Sequence, residues 1–370
     1  MTDDAHSLLN TKTASGTVYV SANGEKGVTP ASELAKTKIM SFDQGSSVTL
    51  KGVTTMTDES MYGIVTPVSQ DESAGYVGGK YEVDKNVVSD KALRTIGAVR
   101  RAGRFIMAGM DAPLYPDSND ENVWAHWSRG NYGPGDWSGS HNDLAAGVDL
   151  YHTDHSRAGI SVMHTNSSLD RTENLGEVSM KKKFTRVSLY GCHDFAGGLH
   201  AAGDVFAGGI RIKDTSLVDM STRTAGVHAE VGVDVPAGRG TITPLVRAAY
   251  AGIRGFTTKD GEGFPFTMKE SHYSSFSAGL KASLPLSPVS LLTAYAGWGI
   301  RTGYDIDGTM SDAWNTMDIS ESGKEHVKTL GIGYRCDVTP FARLSLSAAR
   351  EFSSGLHDDW NFQVSAAYKF

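Results

Sequence analysis

The feature that most constrains this chain is a two-residue alternation of apolar and polar side chains, sustained from about Asn122 to Phe370. Twelve segments read as strands, at 122–131, 141–153, 156–168, 180–193, 197–212, 220–235, 239–253, 271–286, 288–303, 324–338, 340–353 and 357–370. In the last, Trp360, Phe362, Val364, Ala366, Tyr368 and Phe370 share one face, and Asn361, Gln363, Ser365 and Lys369 share the other. In the eighth, Phe276, Ala278, Leu280, Ala282 and Leu284 oppose Ser275, Ser277, Gly279, Lys281 and Ser283. In the tenth, Leu330, Ile332, Tyr334 and Val338 oppose Thr329, Gly331, Arg335 and Asp337. Successive strand side chains point to opposite faces, so each segment has one apolar and one polar wall. Most segments exceed the roughly 9–11 residues with which a tilted strand crosses a bilayer.

A soluble β-sandwich also alternates. Three features favour a membrane barrel over it. The apolar faces carry Ala, Val, Leu and aromatics, including at strand ends, as interfacial girdles require. Connections alternate in length: long after strands 1, 3, 5, 7 and 9, and short at Asp154–Ser156, Asp194–Ala196, Pro236–Arg239, Ser287 and Thr339. The strand count is even, which returns both barrel ends to one side of the membrane. Mean hydropathy is −0.27, and no run of 18 uncharged apolar residues occurs. Those facts exclude a multi-span helical protein but not a barrel, in which half of every strand faces a polar lumen. The net charge of −7 argues against a nucleic-acid partner. Two cysteines, Cys192 and Cys336, make no disulfide framework, and no bond between them is expected.

Two regions precede the alternating one. Residues 1–88 hold short β-rich runs (Thr17–Val20, Ser47–Leu50, Tyr62–Val65) between Gly, Ser and Asp clusters. They read either as an irregular or partly disordered β tail, or as the last turns of a β-solenoid, whose rungs bury a core only by stacking on neighbours. Residues 89–121 are a helix and linker. Ser89 or Asp90 suits the N-cap, Ala92, Leu93, Ile96, Val99, Phe105 and Ile106 recur at helical spacing, and Pro113 and Pro116 follow the end near Met110. Lys91, Arg94, Arg100, Arg101 and Arg104 occur with no acid between Lys91 and Met110. This is either a solvated amphipathic face or a basic helix neutralised by an acidic cavity. Residues Met1–His6 lack the cationic and apolar parts of a signal peptide. The expectation is therefore a C-terminal piece of a longer precursor.

The order of basic helix, short linker, twelve strands and terminal Phe resembles the translocator domain of autotransporters, the type V self-secreting proteins. Asn122–Trp127 with the Gly-rich Gly130–Gly139 resembles the family's opening strand and loop, and Leu144–Asp149 its second strand. Phe362, Val364, Ala366, Tyr368 and Phe370 resemble the alternating signal read by the barrel-assembly machinery. The resemblance implies an all-β fold: a twelve-stranded antiparallel transmembrane β-barrel over 122–370, an α-helix in its lumen, and a small β-rich extension over 1–88. It also implies an outer-membrane, cell-surface location, monomeric state and no cofactor. The implied partners are outer-membrane lipid, the assembly machinery, periplasmic chaperones and the chain's own passenger.

Asp149, Glu230, Asp234 and Asp337 lie on the expected inward parity and are candidates to pair with the helix bases, in a lumen that Arg247 and Arg335 make mixed. A plain outer-membrane channel or adhesin-like barrel, with a periplasmic N-terminal region, is the alternative. An outer-membrane hydrolase barrel and a soluble β-rich binding domain are further readings. No enzyme motif supports catalysis. No Gly-x-Ser-x-Gly elbow, Walker loop or Cys-x-x-Cys pair occurs, and His152 and His155 lie at a turn without a third ligand. Self-cleavage by cyclisation at Asn86 is disfavoured by the β-branched Val87 that follows, and an attached N-terminal segment is expected.

Overall fold

The computed structural model describes residues 9–11, 15–21, 29–43, 45–113, 122–132, 138–173, 176–214, 219–258, 263–303, 306–353 and 358–369. Two compact units form: one from Met1–Gly97, Glu262–Phe266 and Thr309–Asp318, the other from the remainder.

The larger unit contains twelve long strands: β1 (Val123–Tyr132), β2 (Ser138–His152), β3 (Ser156–Glu173), β4 (Gly176–Asp194), β5 (Leu199–Asp214), β6 (Asp219–Val233), β7 (Gly240–Ile253), β8 (Ser271–Ser287), β9 (Ser290–Thr302), β10 (Lys324–Asp337), β11 (Ala342–Ser353) and β12 (Asp358–Tyr368). They correspond one to one with the twelve predicted segments. Each pairs antiparallel with its sequence neighbours, and β1 closes the ring on β12 with Val123 opposite Tyr368 and Trp127 opposite Val364. Closure leaves no open edge, which a strand in hydrocarbon requires. Outward side chains are the apolar ones: Val187, Leu189, Val205, Val227, Phe276, Leu280, Leu330, Ile332, Leu346, Phe362 and Val364 are all exposed. Inward positions hold buried polar groups, among them Arg157, Lys182, Arg186, Asp204, His228 and Glu325. A soluble sandwich would invert this distribution.

Glycine sets the wall's inner relief. An added Cβ at Gly147 would stand 2.5 Å from the Trp124 ring, and one at Gly159 would stand 2.5 Å from the Tyr190 hydroxyl. The missing side chains make slots in which rings from the adjacent strand lie flat. Tyr190 thereby reaches Asp149, whose Oδ1 accepts its hydroxyl at 2.6 Å, and Trp124 Nε1 donates to Tyr190 at 3.3 Å.

The connections after β2, β4, β6, β8 and β10 are short, as expected. The one after β3, expected to be long, is not. Its ladder runs on to the Glu173–Gly176 pair, so β3 and β4 form a hairpin of 18 and 19 residues. Residues 169–173 and 176–179, expected to be loop, keep the backbone pairing of a strand. Length is instead concentrated after β7 and β9, in connections that carry the short strands Phe266–Met268, Ile306–Ser311 and Thr316–Glu321.

The helix α1 (Asp90–Met107) begins where predicted, with Ser89 as N-cap: Ala92 N donates to Ser89 Oγ at 3.2 Å. It ends three residues earlier than expected, in a turn where Gly109 takes φ +80°, a backbone conformation that disfavours side chains.

The smaller unit contains parallel and antiparallel pairs. Ser15–Val20 runs parallel to Ser47–Gly52, and Leu9–Thr11 parallel to Glu33–Phe42. Met40, Phe42 and Val48 form a small core with Val18 and Ile39 against it. A turn is held by Asp71, whose carboxylate accepts Ser73 N at 2.9 Å, Ala74 N at 2.7 Å and Tyr76 Oη at 2.9 Å. These donors, the Ser73 amide foremost, hold its pKa below the usual carboxylate value.

Candidate functional site

Strand parity decides which side chains meet the helix end. On β4 the run Lys181, Lys182, Lys183 sends its flanking members outward and Lys182 inward. Lys182 is 2 % exposed and Arg186, four residues on, 0 %; cations that buried need partners. Lys182 Nζ donates to Phe105 O at 2.9 Å and Ala108 O at 2.7 Å, and its ammonium stands 4.9 Å from the Phe105 ring. Arg186 donates to Ala112 O, and its guanidinium lies against the rings of Phe206 and Phe184 at 5.1 and 5.8 Å. From β6, His228 Nε2 sits 2.7 Å from Met110 O while its Nδ1 is 2.8 Å from Asp204 Oδ1 on β5. The carboxylate fixes the ring so that the other nitrogen meets a carbonyl. From β9, Arg301 Nε donates to Asp111 Oδ2 at 2.8 Å, and its two terminal nitrogens fork onto Glu351 of β11, one at 2.8 Å. Glu325 of β10 lies 3.9 Å from the same guanidinium.

Three walls of the barrel thus grip the segment from Phe105 to Ala112. Four of the acceptors are main-chain carbonyls at or just past a helix C-terminus, where unpaired carbonyls and the helix dipole together favour cations. A cavity of about 390 Å³ remains around this clamp, lined by Ala108, Asp111, Lys182, His228, Arg301 and Glu351 among others.

Lys91, Arg94, Arg100 and Arg104 meet partners other than the four predicted acids. Arg100 and Arg104 both pair with Glu321, on the connection between β9 and β10, Arg100 at 3.3 Å. Lys91 lies 4.7 Å from the Phe264 ring, with its ammonium 3.5 Å from Asp58 O. Arg94 Nε donates to its own helix at Asp90 O, 3.4 Å away, and Arg101 is half-buried. The four predicted acids serve the barrel itself. Asp149 holds Tyr190 and, at 2.9 Å, His152. Glu230 holds Arg247 and lies 3.8 Å from His200. Asp234 accepts Thr243 at 2.5 Å, and Asp337 accepts Arg343 at 2.6 Å. All four lie toward the short-turn ends of β2, β6 and β10, whereas Arg100 and Arg104 meet Glu321 on a connection at the opposite end. Distance therefore separates the two sets.

Of the predicted assembly signal, Phe362, Val364, Ala366 and Tyr368 are exposed on one outward face of β12. Phe370 lies outside the described residues. Sequence reasoning missed Lys182, Arg186, His228, Arg301 and Glu321. The available signal was the inward parity of Lys182 and Arg186 within an otherwise outward-basic strand.

A family profile described as autotransporter beta-domain matches residues 122–349. The fold is similar to the beta domain of a Bordetella autotransporter, BrkA, at 15 % identity and a TM-score of 0.52, covering 68 % of this chain and 100 % of that one. It is also similar to the transport unit of the Escherichia coli autotransporter AIDA-I, at 16 % identity and a TM-score of 0.58, covering 75 % and 99 %. Among curated proteins nothing matches.

Proposed function

Because this chain belongs to the autotransporter beta-domain family and is an outer-membrane barrel with a translocator role, we propose that it exports its own N-terminal region through the lumen and anchors it at the cell surface. The observation that carries this reading is the direction of the gripped segment. Arg100 and Arg104 of α1 pair with Glu321 on a connection at the end opposite the short turns, while Met110, further along the chain, reaches only the middle of the wall at His228. Short turns face the periplasm in such barrels. In this reading the chain N-terminal to Arg100 heads outward, and the strand that follows the linker starts at the periplasmic end.

In this reading residues 1–88 are the retained end of the passenger, residues 89–121 the pore helix and linker, and residues 122–370 the barrel. Parallel pairing of Ser15–Val20 with Ser47–Gly52 supports solenoid-like stacking in that passenger end. Lys182, Arg186, His228 and Arg301 stop the helix from slipping back and fill the pore after export. The outward face ending in Tyr368 is offered to the assembly machinery and to periplasmic chaperones before it meets lipid. The reading contains no catalytic step.

The test places an epitope tag before residue 1, behind a supplied secretion signal, and exposes intact cells to protease. Insertion is confirmed in the same samples by heat-dependent gel mobility. Cleavage of the tag from outside supports export. A tag protected until lysis, on an inserted barrel, places the N-terminal region in the periplasm and refutes it.

A further inference from the structure

The outward faces of β3 to β7 can be read in rows, each joined by ladder partners. Ala158, Gly191, Gly203, Ala229 and Ala248 form one row. Ile160, Leu189, Val205, Val227 and Tyr250 form the next. Val162, Val187, Ala207, Ala225 and Gly252 complete an apolar band. The row above it, toward the end opposite the short turns, is His164, Thr185, Gly209, Arg223, with Arg254 bonded beside Arg223 through its backbone. Above that, charge changes abruptly. Lys183 stands directly opposite Arg211, and Lys181 directly opposite Lys213. All four side chains point outward and are exposed.

Like charges placed directly opposite on neighbouring strands repel. Here two such pairs are stacked one above the other, with strands about 4.8 Å apart and rows roughly 6.7 Å apart. One carboxylate answers them: Asp219 lies 3.2 Å from Arg211 and 3.6 Å from Lys213. Asp170, exposed on the outward face of β3, is a further acid on this side. The flanking outward positions on β3, Asn166 and Ser168, are neutral. A cluster with a net excess of cations has thus been assembled at one height, immediately above the apolar band, on the surface that lipid surrounds.

We propose that Lys181, Lys183, Arg211 and Lys213 bind the phosphate groups of a multiply phosphorylated lipid of the outer leaflet. The spacing suits an anion with two charged groups, one beside each cross-strand pair, with the acyl chains lying against the rows of Val162 and Ile160. The inference rests on the outer-membrane placement of the barrel and is independent of whether the N-terminal region is exported. The location of the cluster favours a lipid over a soluble anion, because apolar wall lies directly beneath it.

The test uses the full chain folded in neutral detergent and scored by native mass spectrometry. Bisphosphorylated lipid A is the probe, with its dephosphorylated form and inorganic phosphate as comparators. The variant is Lys181→Gln, Lys183→Gln, Arg211→Gln and Lys213→Gln together. The control removes equal charge from exposed positions elsewhere, as Lys38→Gln, Lys51→Gln, Lys80→Gln and Lys85→Gln. With roughly 0.7 decade of affinity per cation near an anionic surface, loss of four cations should weaken binding of the bisphosphorylated lipid by roughly 1,000-fold at low salt. The control and the dephosphorylated lipid should show no such loss. Equal binding by wild type and variant overturns the proposal. So does a matching loss in the control, which would mean diffuse attraction. Full competition by millimolar inorganic phosphate would mean a site for free anion, not lipid, and also overturns it. If the fourfold variant fails the gel-mobility test of folding, the two pairs are changed separately and judged by the same criteria.

Discussion

Replacing Lys182 by Met isolates the energetics of the clamp. Its ammonium donates to Phe105 O and Ala108 O at 2.9 and 2.7 Å. Hydrogen bonds involving a charged group contribute about 1.5–3 kcal/mol each, and a cation at a helix C-terminus adds ~0.3–1 kcal/mol. Against this stands the cost of burying the ammonium, several kcal/mol, which Met does not incur. Ala108 borders the 390 Å³ cavity, where water can solvate a released carbonyl. The balance is a loss of about 2 kcal/mol in holding the helix end, or roughly 30-fold in the population that opens. The barrel ladder is untouched, so its heat-dependent gel mobility should not change. The assay is hydrogen exchange of the amides from Ala102 to Met107, with the protein in lipid nanodiscs. Exchange should accelerate about 30-fold there and stay the same in β8 and β9. If protection in α1 changes by less than about threefold, the amine does not hold the helix and the clamp has been misassigned.

On the lipid face, Val205→Arg, in the middle apolar row, should cost about 2–4 kcal/mol of barrel stability in a urea titration, whereas Arg211→Val above the band should cost under about 1. Glu321→Gln should weaken helix holding by no more than ~1 kcal/mol, because Arg100 and Arg104 are half exposed; the effect should vanish in high salt, as followed by exchange at Ala98–Ala102. Gly103→Leu should loosen α1 by about 1–3 kcal/mol, since even a Cβ at that position would stand 2.3 Å from Ile306 Cδ1; exchange in Arg100–Phe105 reads it. At Asp71 the folded pKa is lowered, so its contribution is present above the ordinary carboxylate pKa and is lost as pH falls through the lowered value. Asp71→Asn should remove that acid sensitivity from the exchange of the Ser73 and Ala74 amides; an unchanged pH profile would refute the assignment.

The barrel was legible because alternation is a local property and closure follows from a strand count. Trp360 through Tyr368 show it within nine positions. The gripping site was not legible, for a reason of chemistry. Lysines and arginines on α1 prompt a search for carboxylates on the wall, yet the groups that matter at Phe105, Ala108, Met110 and Ala112 are carbonyl oxygens, which every residue carries and no sequence displays. Asp149, Glu230, Asp234 and Asp337 had the right parity at the wrong depth, and depth depends on where the helix stops. The tall β3–β4 hairpin was read short because strand pairing continues past Ser168, where Asp170 and the residues after it no longer carry the apolar pattern that announced it.

Where the wall holds the segment by main-chain oxygens, at Phe105, Ala108, Met110 and Ala112, those hydrogen bonds do not depend on the side chains; at Asp111, which Arg301 holds by its carboxylate, they do. Lys182, Arg186 and His228 would meet the same acceptors whatever residues occupied positions 105, 108, 110 and 112, provided the helix ended at the same place. Those four contacts are thereby indifferent to the segment's sequence, whereas the pairs of Arg301 with Asp111 and of Glu321 with Arg100 and Arg104 are not. The sequence at those four positions can drift, and the lock still closes on the backbone there.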